Sequence, residues 1–252
     1  MQQTKIILCG ALGHMGQAVS KRAAQPDAPI QIVAGVDIRT DTSGAFPVYA
    51  SFEDISEDAD VIVDFSHHSV LPDLLRFAMK RKMPAVICAT GHTEEELDLL
   101  KESSKTIGIF RSGNMSLGIN LLIKLAKEAA RILGTDYDIE IVEKHHNRKL
   151  DAPSGTALMI ADAVSSTFET GKSYVYDRQS VRERRKPEQI GISSVRGGNI
   201  VGEHEIMFIG QEETVTISHS AMSRDLFADG AVKAAVFMCG KGPGLYDMND
   251  LV

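Results

Sequence analysis

Over the first 114 positions, apolar residues come in short unbroken runs, and between the runs they recur at helical spacing. Ile6-Ile7-Leu8-Cys9 and Ala85-Val86-Ile87-Cys88 carry no polar interruption. Strands buried on both faces of a parallel sheet read this way, because helices cover both sides. The pattern predicts strands over residues 5–10, 31–37, 61–65, 85–90 and 107–111, with helices over 14–24, 71–82 and 94–104. Strands and helices alternating in this order build a doubly wound α/β layer, a Rossmann-like nucleotide-binding domain.

Beyond residue 114 the texture changes. A long amphipathic helix is predicted over 116–133, a strand over 137–142, a second helix over 154–168, and two strands over 200–210 and 213–220 parted by Gly210-Gln211-Glu212. This order predicts an α+β domain, a mixed sheet backed by helices. Residues 169–188, with Arg182, Arg184, Arg185 and Lys186 close together, read as an exposed, mobile loop. A last helix over 225–239 and the tail 240–252 are expected to pack back on the first domain. The predicted division is therefore 1–114 for a dinucleotide, 115–224 for substrate, and 225–252 returning.

Composition narrows the function classes. At 252 residues, 43% hydrophobic and 24% charged, the chain has the makeup of an ordinary soluble protein. A net charge of −7 argues against nucleic-acid or membrane-surface partners, and no apolar run is long enough to span a bilayer. The first residues lead into a strand rather than a secretory signal. Cys9, Cys88 and Cys239 are odd in number and each lies in an apolar segment, so all three are expected as buried free thiols in a reducing cytoplasm.

The first strand ends in Gly10-Ala11-Leu12-Gly13-His14-Met15-Gly16. Glycines at a strand-to-helix turn let backbone approach a pyrophosphate seated on the helix N-terminus. Asp37, at the end of the next strand, is placed to accept from a ribose hydroxyl, which favours NADH; Arg39 could instead face the 2′-phosphate of NADPH. Simple loop charges would look the same.

The stretch Glu143-Lys144-His145-His146-Asn147-Arg148-Lys149-Leu150-Asp151-Ala152-Pro153-Ser154-Gly155-Thr156 runs a cluster of titratable and cationic groups into a helix start. Backbone N–H groups at such a start hold a carboxylate well. If 143–149 were extended, His145 and Lys149 would share a face, and His146 would join them only if the backbone turned. Histidine titrates near neutrality, and a lysine among cations loses its proton more readily. A solvated surface patch is the bland alternative. Metal binding is not expected, since adjacent histidines diverge and no acid or thiol lies at ligand spacing. Arg196 and Arg224 are candidate carboxylate clamps or structural ion pairs, and His204 and His219 read as core or interface histidines.

Residues Glu143 through Ala157 resemble the signature E-x-H-H-x-x-K-x-D-A-P-S-G-T-A of the dihydrodipicolinate (4-hydroxy-tetrahydrodipicolinate) reductases, matching each fixed position. Asp64-Phe65-Ser66, Ser112-Gly113-Asn114-Met115, Ser223-Arg224 with Phe227, and the tail Gly240–Met248 resemble further family motifs. Cys88-Ala89-Thr90-Gly91 departs from the usual G-T-T-G, and His14 stands where relatives often carry arginine. The resemblance implies a nicotinamide-dependent reductase of the diaminopimelate route to lysine, using NADH, NADPH or both. It assigns His145 as general acid–base residue and Lys149 as proton donor. His146, Gly155, Thr156 and Arg224 fall to a small dicarboxylate substrate. Gly10, Ala11, Leu12, Gly13, His14, Met15, Asp37, Arg39, Cys88, Ala89, Thr90, Ser112, Gly113, Asn114 and Met115 fall to the cofactor. It also implies a homotetramer formed through the second domain's sheet, and domain closure around both ligands. A dehydrogenase of another small acid and a non-catalytic nucleotide sensor remain as alternatives.

Overall fold

A computed structural model of the chain describes residues 3–41 and 43–251. Two compact units emerge: one comprises the chain up to Ser116 together with the segment from Asp225 onward, the other Leu117–Arg224.

In the first unit, β1 (Thr4–Cys9), β2 (Ile30–Val36), β3 (Val48–Tyr49), β4 (Val61–Asp64), β5 (Ala85–Ile87) and β6 (Gly108–Arg111) are parallel. With β12 (Gly244–Tyr246) they form a seven-stranded sheet in the order β12-β6-β5-β4-β1-β2-β3. The helices are α1 (His14–Ala23), α2 (Leu71–Arg81), α3 (Glu94–Ser103) and α6 (Asp225–Met238). This is the doubly wound sheet expected. Ile6, Ile7, Leu8, Ile62, Val86, Ile87 and Ile109 are fully buried, which is why these strands read as continuous apolar runs. Strand order reverses between β1 and β4, and the crevice beyond their carboxyl ends is where open α/β sheets bind ligands. α3 is started by a capping box between Thr93 and Glu96, and α6 closes on small residues. A Cβ at Gly230 would stand 1.8 Å from the Met115 carbonyl, so glycine alone allows α6 to meet the Asn114–Met115 turn.

The second unit holds α4 (Leu117–Leu133), β7 (Asp138–His145), α5 (Gly155–Ser165), β8 (Ser173–Val175), β9 (Gln189–Arg196), β10 (Gly202–Ile209) and β11 (Thr214–Ala221). The sheet order is β11-β10-β7-β9-β8, with β10 antiparallel to both neighbours and β7, β9 and β8 parallel. Period-two alternation buries Ile139 and Ile141 of β7 and Ile206 and Phe208 of β10 under α4 and α5.

Three expectations need correction. The strand predicted over 137–142 continues to His145, because β9 and β10 pair with it along its whole length. Residues 169–188 are not one free loop. β8 forms inside them, and Arg185 is pinned by Asp138, Glu140 and the Ile139 and Gln189 carbonyls. Gly191 makes room for this anchor, since a Cβ there would fall 1.8 Å from the Glu140 carboxylate. Cys9 and Cys88 are buried but Cys239 is exposed, because α6 ends one residue earlier, at the buried Met238, and Cys239 falls outside it. No helix among the described residues is long and apolar enough to cross a membrane.

Candidate functional site

The glycine loop after β1 packs backbone tightly against the start of α1. Gly10 has φ +72°, and a Cβ there would stand 2.7 Å from the Phe65 carbonyl. A Cβ at Gly16 would stand 2.2 Å from the Gly10 carbonyl, so α1 can lie this close to the loop only with glycine at that position. Gly13 is the N-cap of α1 and offers no side-chain acceptor, and the first turn holds no acid. Nothing on the helix therefore competes with a pyrophosphate for its N-terminal amides. His14 is exposed at the first helical position, beside the half-buried Leu12 and Met15 and the buried Ala11. Asp37 ties β2 to this loop, one carboxylate oxygen accepting from Leu12 N–H at 2.9 Å. Arg39 is exposed two residues on. A cavity of about 860 Å³ opens beside them, lined by Gly10, Asp37, Ser66, Arg76, Phe77 and Lys80, a volume in the range of small-molecule sites.

Farther along the same strand ends, Cys88 and Ala89 are buried while Thr90 and Gly91 are exposed. Burial pushes the Cys88 thiol well up, and the Asp64 charge adds to this, so the cysteine is an inert packing residue. Ser112 and Asn114 form an interlocked turn: the Ser112 hydroxyl donates to the Asn114 carbonyl at 2.8 Å, and Asn114 Oδ1 accepts from Ser116 N–H at 2.9 Å. Gly113 is exposed and Met115 buried. No motif marks the neighbouring His68, whose Nδ1 lies 2.9 Å from Glu96.

In the second unit the basic run comes to one end of β7. Glu143 and His145 are two residues apart on a strand and so share its helix-covered face. His145 Nδ1 meets Glu143 Oε2 at 2.6 Å, and Arg196 grips both Glu143 oxygens at 2.7 and 2.8 Å. Burial pushes the fully enclosed Glu143 carboxyl up, but hydrogen bonds from Arg196, Ser194 and His145 outweigh it and bring it down to about 2. Of the two readings of Arg196, the ion pair is the one present.

The strand ends at His145 and the backbone turns, the His146 carbonyl accepting from Lys149 N–H at 3.1 Å. The turn supplies the condition for His146 to approach the same place. Lys149 Nζ lies 2.9 Å from Asp151, and the Arg224 guanidinium reaches His146 Nε2 at 3.3 Å. A guanidinium only donates, so Nε2 is the acceptor. Burial, with the charges of Arg148 and Arg224, pushes the His146 pKa down, which favours the neutral ring.

Ser154 then caps α5, its hydroxyl accepting from Ala157 N–H at 3.2 Å. Its own N–H donates to Glu143 at 3.1 Å, and its hydroxyl lies 3.0 Å from His204 Nε2. His204 is held down to about 4, by burial first and then by the His145 charge. Gly155 is exposed at the first position of α5, and a Cβ there would meet nothing within 4 Å. Packing within the chain does not require this glycine. Glu143, Ser154 and His204 carry no predicted site role, although the i, i+2 spacing of Glu143 and His145 already puts them on one strand face. Among the described residues no cluster of acids, histidines and thiols has metal-ligating geometry.

Two family profiles cover almost the whole chain: the N-terminal part of dihydrodipicolinate reductase matches residues 4–115 and its C-terminal part residues 118–252. The chain belongs to the dihydrodipicolinate reductase family. A 4-hydroxy-tetrahydrodipicolinate reductase of Caldanaerobacter subterraneus subsp. tengcongensis is 54% identical, with 98% of each chain covered. One from Clostridium perfringens strain 13 is 43% identical over the same share of both chains. A solved dihydrodipicolinate reductase from Paenisporosarcina sp. TG-14 covers 100% of both chains with a TM-score of 0.82 at 23% identity, which establishes the shared fold. As a dihydrodipicolinate reductase the protein is an NAD(P)H-dependent oxidoreductase of lysine biosynthesis through diaminopimelate. The family assignment does not favour the amino-acid dehydrogenase or the nucleotide sensor.

Proposed function

We propose that the first unit holds the nicotinamide cofactor and that residues 143–156 with Arg224 hold and protonate a small dicarboxylate. What supports this is the network at one end of β7: Glu143 joins His145 to the Ser154 cap of α5, and Arg196 joins it to Asp151, which holds the Lys149 amine. When bound, the cofactor supplies hydride from its nicotinamide ring. The chain's own residues supply everything else. The start of α5 at Gly155 and Thr156 receives one carboxylate on its backbone amides, the Ser154 N–H being held by Glu143, and open space over Gly155 suits close approach. Arg224, with one donor on neutral His146, keeps its other N–H groups for the second carboxylate. His145 and Lys149 manage the proton that the reduced ring takes up, with loss of water from 4-hydroxy-tetrahydrodipicolinate. The Paenisporosarcina enzyme is described as dipicolinate-bound, a planar dicarboxylate that fits this arrangement.

On the cofactor side, Gly10 to Met15, Asp37, Arg39, the 88–90 turn and the 112–115 turn form the binding surface. The absence of side-chain competition at α1 supports the pyrophosphate position. Asp37 serves the loop through one oxygen, and the other, with only a long 3.4 Å contact from Arg39 N–H, would accept from a ribose hydroxyl, so NADH is the better cofactor and NADPH is accepted through Arg39. The protein works in the cytoplasm as a homotetramer. The sheet face opposite α4 and α5 supports the latter: Val142, Met207 and Ile209 lie half-buried there among Lys144, Glu203 and Glu205.

The test is oxidation of NADH and of NADPH, with substrate made in situ from pyruvate and aspartate semialdehyde by the preceding synthase. Turnover with a lower KM for NADH is expected, and Asp37→Ala should narrow the difference. Failure to oxidise either, with NADH still bound, would refute the reading.

A further inference from the structure

A carboxylate and a guanidinium lie together beneath His145 and the start of α5. Glu143 is completely enclosed, yet each of its oxygens takes two donors: Oε1 accepts from Arg196 Nη2 and Ser154 N–H, Oε2 from Arg196 Nη1 and His145 Nδ1. Burying an ion pair gives little net stabilisation over a well-packed apolar pair. What it gives here is geometry. Arg196 would satisfy Glu143 by itself, but the carboxylate is shared with the ring on β7 and the N-cap of α5.

The same connections extend outward. Arg196 also donates to the Asp151 carbonyl at 2.8 Å, and the Asp151 carboxylate lies 2.9 Å from Lys149. His204 stands edge-on to His145, ring centroids 5.2 Å apart, while its Nε2 holds the Ser154 hydroxyl. At Gly202 a Cβ would come within 3.1 Å of His145 Nε2, so glycine keeps that nitrogen clear. Among the described residues, the hydrogen bond and ring contact to His145 engage Nδ1 or the ring edge and leave Nε2 open.

We propose that Glu143, held by Arg196, is the positioning residue of this site. It fixes neutral His145 as the Nδ1–H tautomer with Nε2 toward the substrate. Through Ser154 N–H it also sets the carboxylate-binding turn in register with that nitrogen. Glu143 touches neither substrate nor cofactor and acts through His145 and Ser154; its role rests on His145 being the acid–base residue. An ionised acceptor on Nδ1–H is the device that orients a catalytic imidazole and stabilises it when it takes a proton.

The experiment combines kinetics with nitrogen NMR of ¹⁵N-histidine-labelled protein, the pH raised until the ring is neutral. In the native enzyme the His145 signal should show a protonated Nδ1 and a bare Nε2; the reverse would overturn the proposal without any variant. Glu143→Gln should mix the tautomers and lower kcat by about 10²-fold, within the range that acid–base catalysis contributes, with KM for NADH unchanged. If it keeps both kcat and tautomer, the proposal fails. If it does not fold, the double variant Glu143→Gln, Arg196→Gln, which removes both buried charges, is read in the same way, and the native tautomer still decides. His145→Ala separates the two levels. Its full activity would refute the functional reading itself, whereas loss of activity there with an indifferent Glu143→Gln would refute only the positioning role.

Discussion

Replacing Gly155 by alanine should make the fold no less stable while weakening the enzyme. Gly155 opens α5 with ordinary backbone geometry, and an added methyl meets no protein atom within 4 Å. Alanine is favoured over glycine by up to about 1 kcal/mol in a helix, less at the first position. The expected change in Tm is thus zero to a rise of about 2–4 °C. The same methyl stands where a substrate carboxylate would approach the helix amides. Pushing the carboxylate outward forfeits charge-assisted hydrogen bonds worth about 1.5–3 kcal/mol. At 1.4 kcal/mol per tenfold, kcat/KM for the dicarboxylate falls by about 10–100-fold, with KM for NADH unchanged. Thermal unfolding and steady-state kinetics on one preparation decide the matter. An unaltered kcat/KM would refute the cradle; a fall in Tm matching the loss of activity would mean that the glycine serves packing after all.

The cofactor loop gives a graded series: Gly16→Ala places its methyl 2.2 Å from a carbonyl and Gly13→Ala only 3.2 Å from one, so the first should cost about 1–3 kcal/mol of stability and raise the NADH dissociation constant, and the second much less, measured by calorimetric titration. Two buried groups make the fold acid-sensitive. Glu143 is lowered to about 2, so its contribution is complete above the unfolded carboxyl pKa and is lost as pH falls from about 4.5 toward 2. His204 is lowered to about 4, so the unfolded chain binds its proton first and stability declines as pH falls from about 6.5 to 4; His204→Gln should flatten that part of a denaturation-against-pH curve. Among the three cysteines, Cys239 alone should react with a thiol reagent in the native enzyme, Cys9 and Cys88 following only on unfolding; a native stoichiometry above one would contradict their burial.

Period and run length made the main sheet legible, because strands buried on both faces leave an unmistakable apolar signal in β1, β4 and β5. β3, β8 and β12 are as short as β5 but lie in no unbroken apolar run like Ala85-Val86-Ile87-Cys88, so nothing marks them. β9 escaped because Ser193 and Ser194 break its apolar pattern, and its hydrogen bonds to β7 override that polarity. Cys239 was misread because an apolar helix does not say at which residue it ends, and burial stops with Met238. The loop at 169–188 was misread because arginines look solvated until acids such as Asp138 and Glu140, far back in the sequence, are brought to them. At the site, the cap at Ser154 was legible from residue type, whereas the extended backbone assumed for His145 to Lys149 is not present, because the strand ends at His145 and the chain turns. Arg196 was ambiguous because its partner Glu143 lies 53 positions away and only the parallel pairing of β7 with β9 joins them. The role of Glu143 stayed hidden because a buried carboxylate in a charged run looks like one more surface charge.

The most direct test of the account is kcat of the Lys149→Ala enzyme at saturating NADH and substrate, with native unfolding and cofactor binding verified on the same sample. The Lys149 amine is anchored at Asp151, and if it delivers the proton as proposed its loss should lower kcat by about 10²-fold or more. Undiminished turnover would contradict the placement of proton delivery in residues 143–156.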